Sequence, residues 1–156
     1  MPNFHLAEIN VARALKPLDD PLFADFMVQI EPVNALADAA PGFVWRLQSD
    51  YGAGATGIQA FDDKYILINM SVWESVEALR EFTYKGAHMS VFRERRKWFE
   101  AIERPILAMW WIPAGHIPTI EEGKEKLALL ERHGPTQEAF HFKALFPSPT
   151  VAAAKV

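Results

Sequence analysis

The chain has 156 residues, no Cys, five Trp, eleven Phe and a formal net charge of −4, with 50% of its residues hydrophobic and 23% charged. This is the size of one domain with a core of its own, and the lack of Cys excludes disulfides, thiolate metal sites, iron–sulfur clusters and a Cys nucleophile. The mild negative charge argues against nucleic-acid partners, and no apolar run reaches the roughly 20 residues that a membrane span needs. Met1-Pro2-Asn3-Phe4-His5 has no basic stretch followed by an apolar one, which predicts no secretory leader and a cytoplasmic protein. Five Trp are many for this length. Either the core is unusually aromatic, or some rings line a pocket or an interface.

Phe4 to Leu15 reads as a strand, with Leu6, Glu8 and Asn10 on one face and Ala7, Ile9 and Val11 on the other. Asp20-Pro21 marks a helix start, Asp20 as cap and Pro21 in the first turn. Leu22, Phe23, Phe26, Met27, Ile30 and Val33 follow at helical spacing, and Pro32 is expected to kink that helix or end it early. Phe43 to Leu47 is a short aromatic strand. Asp50 to Gly54 reads as a turn at a pocket mouth, and Ile58 to Phe61 as a short paired strand. Tyr65 to Trp73 is the strongest strand. Ser75 then caps a helix carrying Val76, Leu79 and Phe82. Gly86 breaks it, and a second helix is expected from about Ala87 to Glu103. Ile106 to Ile112 is a strand on which Trp110 and Trp111 must face opposite ways. Thr119-Ile120-Glu121-Glu122 is a capping box for a helix ending at Gly134-Pro135. Phe140 to Phe146 is read as a last strand.

The order is that of an α+β, ferredoxin-like β-α-β-β-α-β sheet with an extra C-terminal helix and strand. Residues 1–146 are expected to form this single domain and 147–156 a flexible C-terminal tail. Such a sheet carries its helices on one face, and the other face needs a cover, most simply a second copy of the chain.

His88, Val91, Phe92, Arg95 and Phe99 share one face of the predicted helix. The functional reading is a pocket wall, with His88 as general base or axial haem ligand and Arg95 holding an anion. The alternative is a satisfied core His and an Arg that reaches solvent. Asn69, Ser71 and Trp73 project from one side of their strand, and Asn10 and Glu8 share a side of theirs. These polar groups either orient a ligand or bond to a neighbouring loop or partner. Trp45 and Trp73 are candidate ligand platforms, while Trp98 lies one position off the His88 face and is expected to be partly exposed. Arg93, Arg95, Arg96 and Lys97 read as a solvated helix face with Arg95 turned inward. None of the five His shows common metal-site spacing. No Gly-rich phosphate loop follows a strand, and no Gly-x-Ser-x-Gly elbow occurs.

Ser71-Val72-Trp73-Glu74-Ser75, then Glu77-Ala78-Leu79 and His88, resembles the signature region of dimeric α/β-barrel proteins. That superfamily includes antibiotic-biosynthesis and haem-degrading monooxygenases. Within it, residues 4–146 resemble an uncharacterised bacterial domain family. That likeness rests on Leu6 to Arg13, Gly42 to Leu47, Asn69 to Leu79, Arg95 to Phe99, Trp110 to His116 and Arg132 to Thr136. The family is also distantly similar to spheroidene monooxygenase, a haem-dependent enzyme. The haem-degrading members use a first-strand Asn, a Trp ending the third strand and a His on the next helix. Asn10 and Trp73 match the first two by type, whereas Phe92 falls nearer the third position than His88 does. His88 instead resembles a His in a turn of the non-haem members.

The resemblance implies a homodimeric, monooxygenase-like protein that binds a small hydrophobic or aromatic ligand between sheet and helices. His88, Asn69 and Arg95 are then the catalytic candidates, and Asn10, Trp45, Trp73, Phe92 and Trp111 the ligand-binding ones. Haem is the one cofactor in question, with His88 as its ligand. The alternative is a non-catalytic small-molecule or haem sensor that uses the same pocket.

Overall fold

In the computed structural model, which describes residues 3–48, 58–84 and 94–149, the alternating first stretch becomes β1, Phe4–Ala14. The other strands are β2 (Phe43–Arg46), β3 (Ile66–Trp73), β4 (Phe99–Glu100) and β5 (Leu107–Pro113). The helices described are α1 (Ala24–Asp38), α2 (Val76–Tyr84) and α3 (Ile120–His133). β1 is the central strand. β3 lies along one side of it and β5 along the other, with β4 pairing only Arg13 and Ala14. β2 is the edge beyond β3, and every pairing is antiparallel. The order β2-β3-β1-β5 is that of a ferredoxin-like α+β sheet.

The period of two along β1 divides the molecule. Ala7 and Ile9 join Ile68, Met70, Val72, Ala108, Trp110 and Ile112 in a core on one face, closed by Leu127 and Leu130 of α3. Leu6 joins Trp73, Met109 and Phe140 on the other, closed by Ala37 of α1 and by Val76 and Leu79 of α2. A third cluster, Ala14, Phe23 and Trp98, seals the far end of β1. The face expected to wait for a second copy is thus covered by α3 of the same chain. Gly123 allows that helix to lie close, because a Cβ there would stand 2.8 Å from Ile9 Cδ1 and 3.2 Å from Met70 Cε.

Local chemistry explains most element ends. Asp20 accepts from the Leu22 N–H at 2.9 Å, opening a 3-10 turn over Pro21–Phe23 that leads into α1. Ser75 Oγ accepts from the Ala78 N–H at 3.1 Å at the start of α2. Thr119 Oγ1 accepts from the Glu122 N–H at 3.1 Å at the start of α3. The Glu122 carboxylate closes the capping box on the Thr119 backbone, and it also takes the Trp110 indole N–H at 2.8 Å and meets His116 Nε2 at 2.8 Å. Gly42, at φ +82°, ends the turn before β2 with no room for a side chain, since a Cβ would lie 2.6 Å from that of Ala78.

Several expectations are corrected. Pro32 does not end α1 early: the helix runs through it to Asp38. Pro32 removes one helical bond, to the Val28 carbonyl, on the water-facing side, where Val28 is 71% exposed. The helix expected to reach Glu103 does not do so. Its described part is a 3-10 turn, Arg95–Lys97, followed by β4. Trp98 is fully buried rather than partly exposed, and its indole donates to the Leu22 carbonyl at 3.1 Å. Residues 58–61 form no strand. Lys124 anchors them instead, donating to the Ala60 carbonyl at 2.8 Å and lying over the Phe61 ring. Phe140 to Phe146 also forms no strand. Phe140 exchanges two bonds with Met109, and the chain then turns back between His141 and Ala144.

Candidate functional site

A cavity of about 330 Å³ lies between the sheet and the helices α1 and α2. Its floor is one face of β1 and β3, because the register sets Glu8 opposite Ser71, Asn10 opposite Asn69 and Leu6 opposite Trp73. Phe26, Ile30 and Val33 of α1 and Leu79 and Phe82 of α2 supply apolar walls, with Phe99 and Leu107 at the side. Trp73 is fixed edge-on to Phe43 and stacked against Phe82, with ring centroids 5.4 and 5.3 Å away.

Four polar side chains form a chain of hydrogen bonds across this floor. The Trp73 indole N–H donates to Ser71 Oγ at 2.8 Å. The Ser71 hydroxyl donates to Glu8 Oε1 at 2.7 Å, and the Asn10 amide donates to Glu8 Oε2 at 2.9 Å. Glu8 is only 3% exposed. Burial pushes its carboxyl up from 4.5 to about 7, against the opposing pull of the bonds from Asn10 and Ser71. A carboxyl of that kind is partly protonated at neutral pH, which suits it to take up or release a proton.

The two cations of the lining sit differently. Arg46 is held by Asp38 of α1 through two bonds, Nε to Oδ1 at 2.7 Å and Nη2 to Oδ2 at 3.2 Å. Its charge is therefore balanced beside the cavity. Arg95 lines the cavity from the exposed 3-10 turn, which places it at the mouth.

Of the residues singled out in the sequence, Asn10, Asn69, Trp73 and Arg95 meet at this cavity. Asn69 and Arg95 are exposed at its rim, while Trp73 is buried in its floor. Trp45 is corrected. The β2 ladder shifts register between Phe43 and Trp45, so Trp45 pairs with Val72 and packs in the α3-side core. That irregularity turns Arg46, not Trp45, toward the cavity. Trp111 stands on the cavity's side of the sheet but outside its lining. Its indole donates to the Phe146 carbonyl at 2.9 Å and pins the segment after α3. His88 and Phe92 lie outside the described residues, as does the turn from Asp50 to Gly54. Glu8 and Ser71 were legible only as polar positions within strands. Among the described residues, no cluster of three or more His, Asp or Glu could hold a metal ion, and no helix is long and apolar enough to cross a membrane.

No curated protein matches the chain. Among solved structures, PA3566 from Pseudomonas aeruginosa is similar at 10% identity and a TM-score of 0.47, over 74% of this chain and 99% of that one. NE2512 from Nitrosomonas europaea, a protein of unknown function, is similar at 13% identity and a TM-score of 0.45, over 76% and 99%. A protein from Chloroflexus aurantiacus J-10-fl, described as "putative Antibiotic biosynthesis monooxygenase", is similar at 14% identity and a TM-score of 0.45, over 74% and 98%. One family model, described as a domain of unknown function (DUF3291), matches residues 5–156, and the chain belongs to that family.

Proposed function

We propose that the cavity binds a small, largely apolar or aromatic molecule bearing an O–H group, and that Glu8 takes its proton as the base of a monooxygenase-like enzyme. The observation that carries this reading is the buried Glu8 carboxyl, bonded to Ser71 and Asn10 and opening onto an apolar cavity. A carrier or sensor needs the walls and a few donors. It does not need a buried acid poised near neutrality, which costs stability to keep. Removing the proton of a bound aromatic O–H creates the electron-rich anion from which oxygen chemistry can begin. Asn69 and Arg95, at the rim, supply donors for the negative charge that develops.

Haem does not fit the described walls. Its axial ligand is a His, Cys, Met or Tyr side chain, and none of these is among the described lining residues. His88 lies outside them. A Soret band that appears with hemin and is lost in His88→Ala would reinstate that reading.

Phenol and toluene test the proposal, because they share a shape and differ in the O–H. An NMR titration of the wild-type chain should show phenol binding more tightly than toluene. The preference should vanish in Glu8→Leu. Equal binding of the two probes by the wild type would remove Glu8 as the group that reads the ligand. Oxygen uptake with phenolic compounds then separates an enzyme from a non-catalytic binder.

A further inference from the structure

The polarity of the hydrogen-bond chain on the cavity floor decides where a proton can sit. An indole N–H can only donate. The 2.8 Å contact between Trp73 and Ser71 therefore uses one acceptor site of the Ser71 oxygen and leaves its proton to point elsewhere. The nearest acceptor is Glu8 Oε1, at 2.7 Å. If Oε1 were protonated instead, it would have to donate to Ser71, and the single Ser71 proton would lose this partner. Ser71 is 8% exposed, and stranding a donor at a buried position is costly. The other oxygen is under no such constraint. Oε2 faces the Asn10 amide, 2.9 Å away, which carries both a donor and an acceptor. The amide N–H serves the carboxylate. After a half-turn, its carbonyl accepts from the protonated acid.

We propose that Trp73 is a positioning residue for proton transfer: through Ser71 it keeps Glu8 Oε1 an acceptor, so the exchanged proton travels on Oε2 beside Asn10. This rests on the reading of Glu8 as the proton acceptor. It adds the atom that does the work and the residues that choose it. The charged groups facing Glu8 from the described elements around the cavity are Arg46, neutralised by Asp38, and Arg95 at the mouth.

The indoles provide the test without any substitution. Trp73 is bonded to Ser71, whereas Trp98 and Trp111 are bonded to backbone carbonyls. Protonating Glu8 weakens Oε1 as an acceptor and depolarises the bonds behind it. The Trp73 indole N–H resonance should therefore shift with pH at the same midpoint as the Glu8 carboxyl carbon. Those of Trp98 and Trp111 should not shift there. A Trp73 resonance that ignores the Glu8 titration overturns the relay. A Glu8 carboxyl that shows no midpoint near neutrality overturns the proton-acceptor reading itself, so the two failures are distinguishable.

Variants sharpen the result. Ser71→Ala should raise the Glu8 midpoint by about one pH unit, the loss of one hydrogen bond to a charged group. Ser71→Thr, which keeps the hydroxyl, should restore it. Trp73→Phe should raise the midpoint when Ser71 is present and change nothing further in the Ser71→Ala background. An equal shift in both backgrounds would show that Trp73 acts by packing alone, and would overturn the proposal.

Discussion

Glu8 is the residue at which fold and chemistry conflict. Its carboxyl titrates near 7 in the folded chain and at 4.5 as a free side chain. A carboxyl raised in the folded state binds its proton more tightly there. Its contribution to stability is therefore greatest below about pH 4.5, falls as pH rises toward 7 and is constant above that. The difference is on the order of 3 kcal/mol. Glu8→Gln keeps the shape and the bonds to Ser71 and Asn10 but loses the charge. Thermal unfolding should show the variant gaining stability relative to wild type across pH 4.5 to 7, and a constant gap between them would contradict the burial argument. The sequence showed Glu8 as a polar residue on the same face as Leu6 and Asn10. Its partner Ser71 is 63 positions away, and only the register of β1 with β3 brings them together. Asn69 and Trp73 were readable because they alternate on one strong strand. Trp45 packs on the other side of the sheet because the ladder irregularity in β2 breaks the two-residue period.

At the scale of elements, Gly123 carries more than its helix propensity suggests. Glycine within a helix costs about 1 kcal/mol relative to Ala, and here that cost secures the close approach of α3 to β1 and β3. The atoms that a Cβ would meet are the flexible ends of Ile9 and Met70. Gly123→Ala should therefore stay near wild type in chemical denaturation, the helix gain offsetting a small repacking. Gly123→Leu should lose about 1–3 kcal/mol through overpacking. If the larger side chain were tolerated, α3 would not be seated as described. Strong periodicity made β1, β3, β5, α2 and α3 readable. The segments that failed were those whose state is decided at a distance. Residues 140–146 have strand-like composition, yet side-chain bonds turn them back, as when His141 Nδ1 accepts from the Lys143 N–H at 3.2 Å. Pro32 has the composition of a break, yet Phe26, Ile30 and Val33 are held over the cavity on both sides of it.

At the scale of the whole molecule, α3 changes the argument for a partner. The sequence suggested a homodimer because one sheet face needed a cover, and α3 is that cover. A homodimer would then use another surface, unless α3 leaves. Leu130, 3% exposed on the sheet-facing side of α3, is the place to test this. Leu130→Asp puts a charge into the sheet-side core and should loosen the helix, by about 3 kcal/mol or more. Light scattering should then show concentration-dependent association beyond that of the wild type, through the uncovered sheet. The alternation along β1 has a last consequence, for how the chain can change over time. Positions 8 and 10 face the cavity, whereas 7 and 9 face the α3 core. A library scanning that strand should read as two interleaved tracks. On one, substitutions retune what is bound while the molecule persists; on the other, they remove the molecule altogether. Selection can therefore explore new ligands at the cavity-facing positions of its central strand, while Ala7 and Ile9 between them preserve the framework.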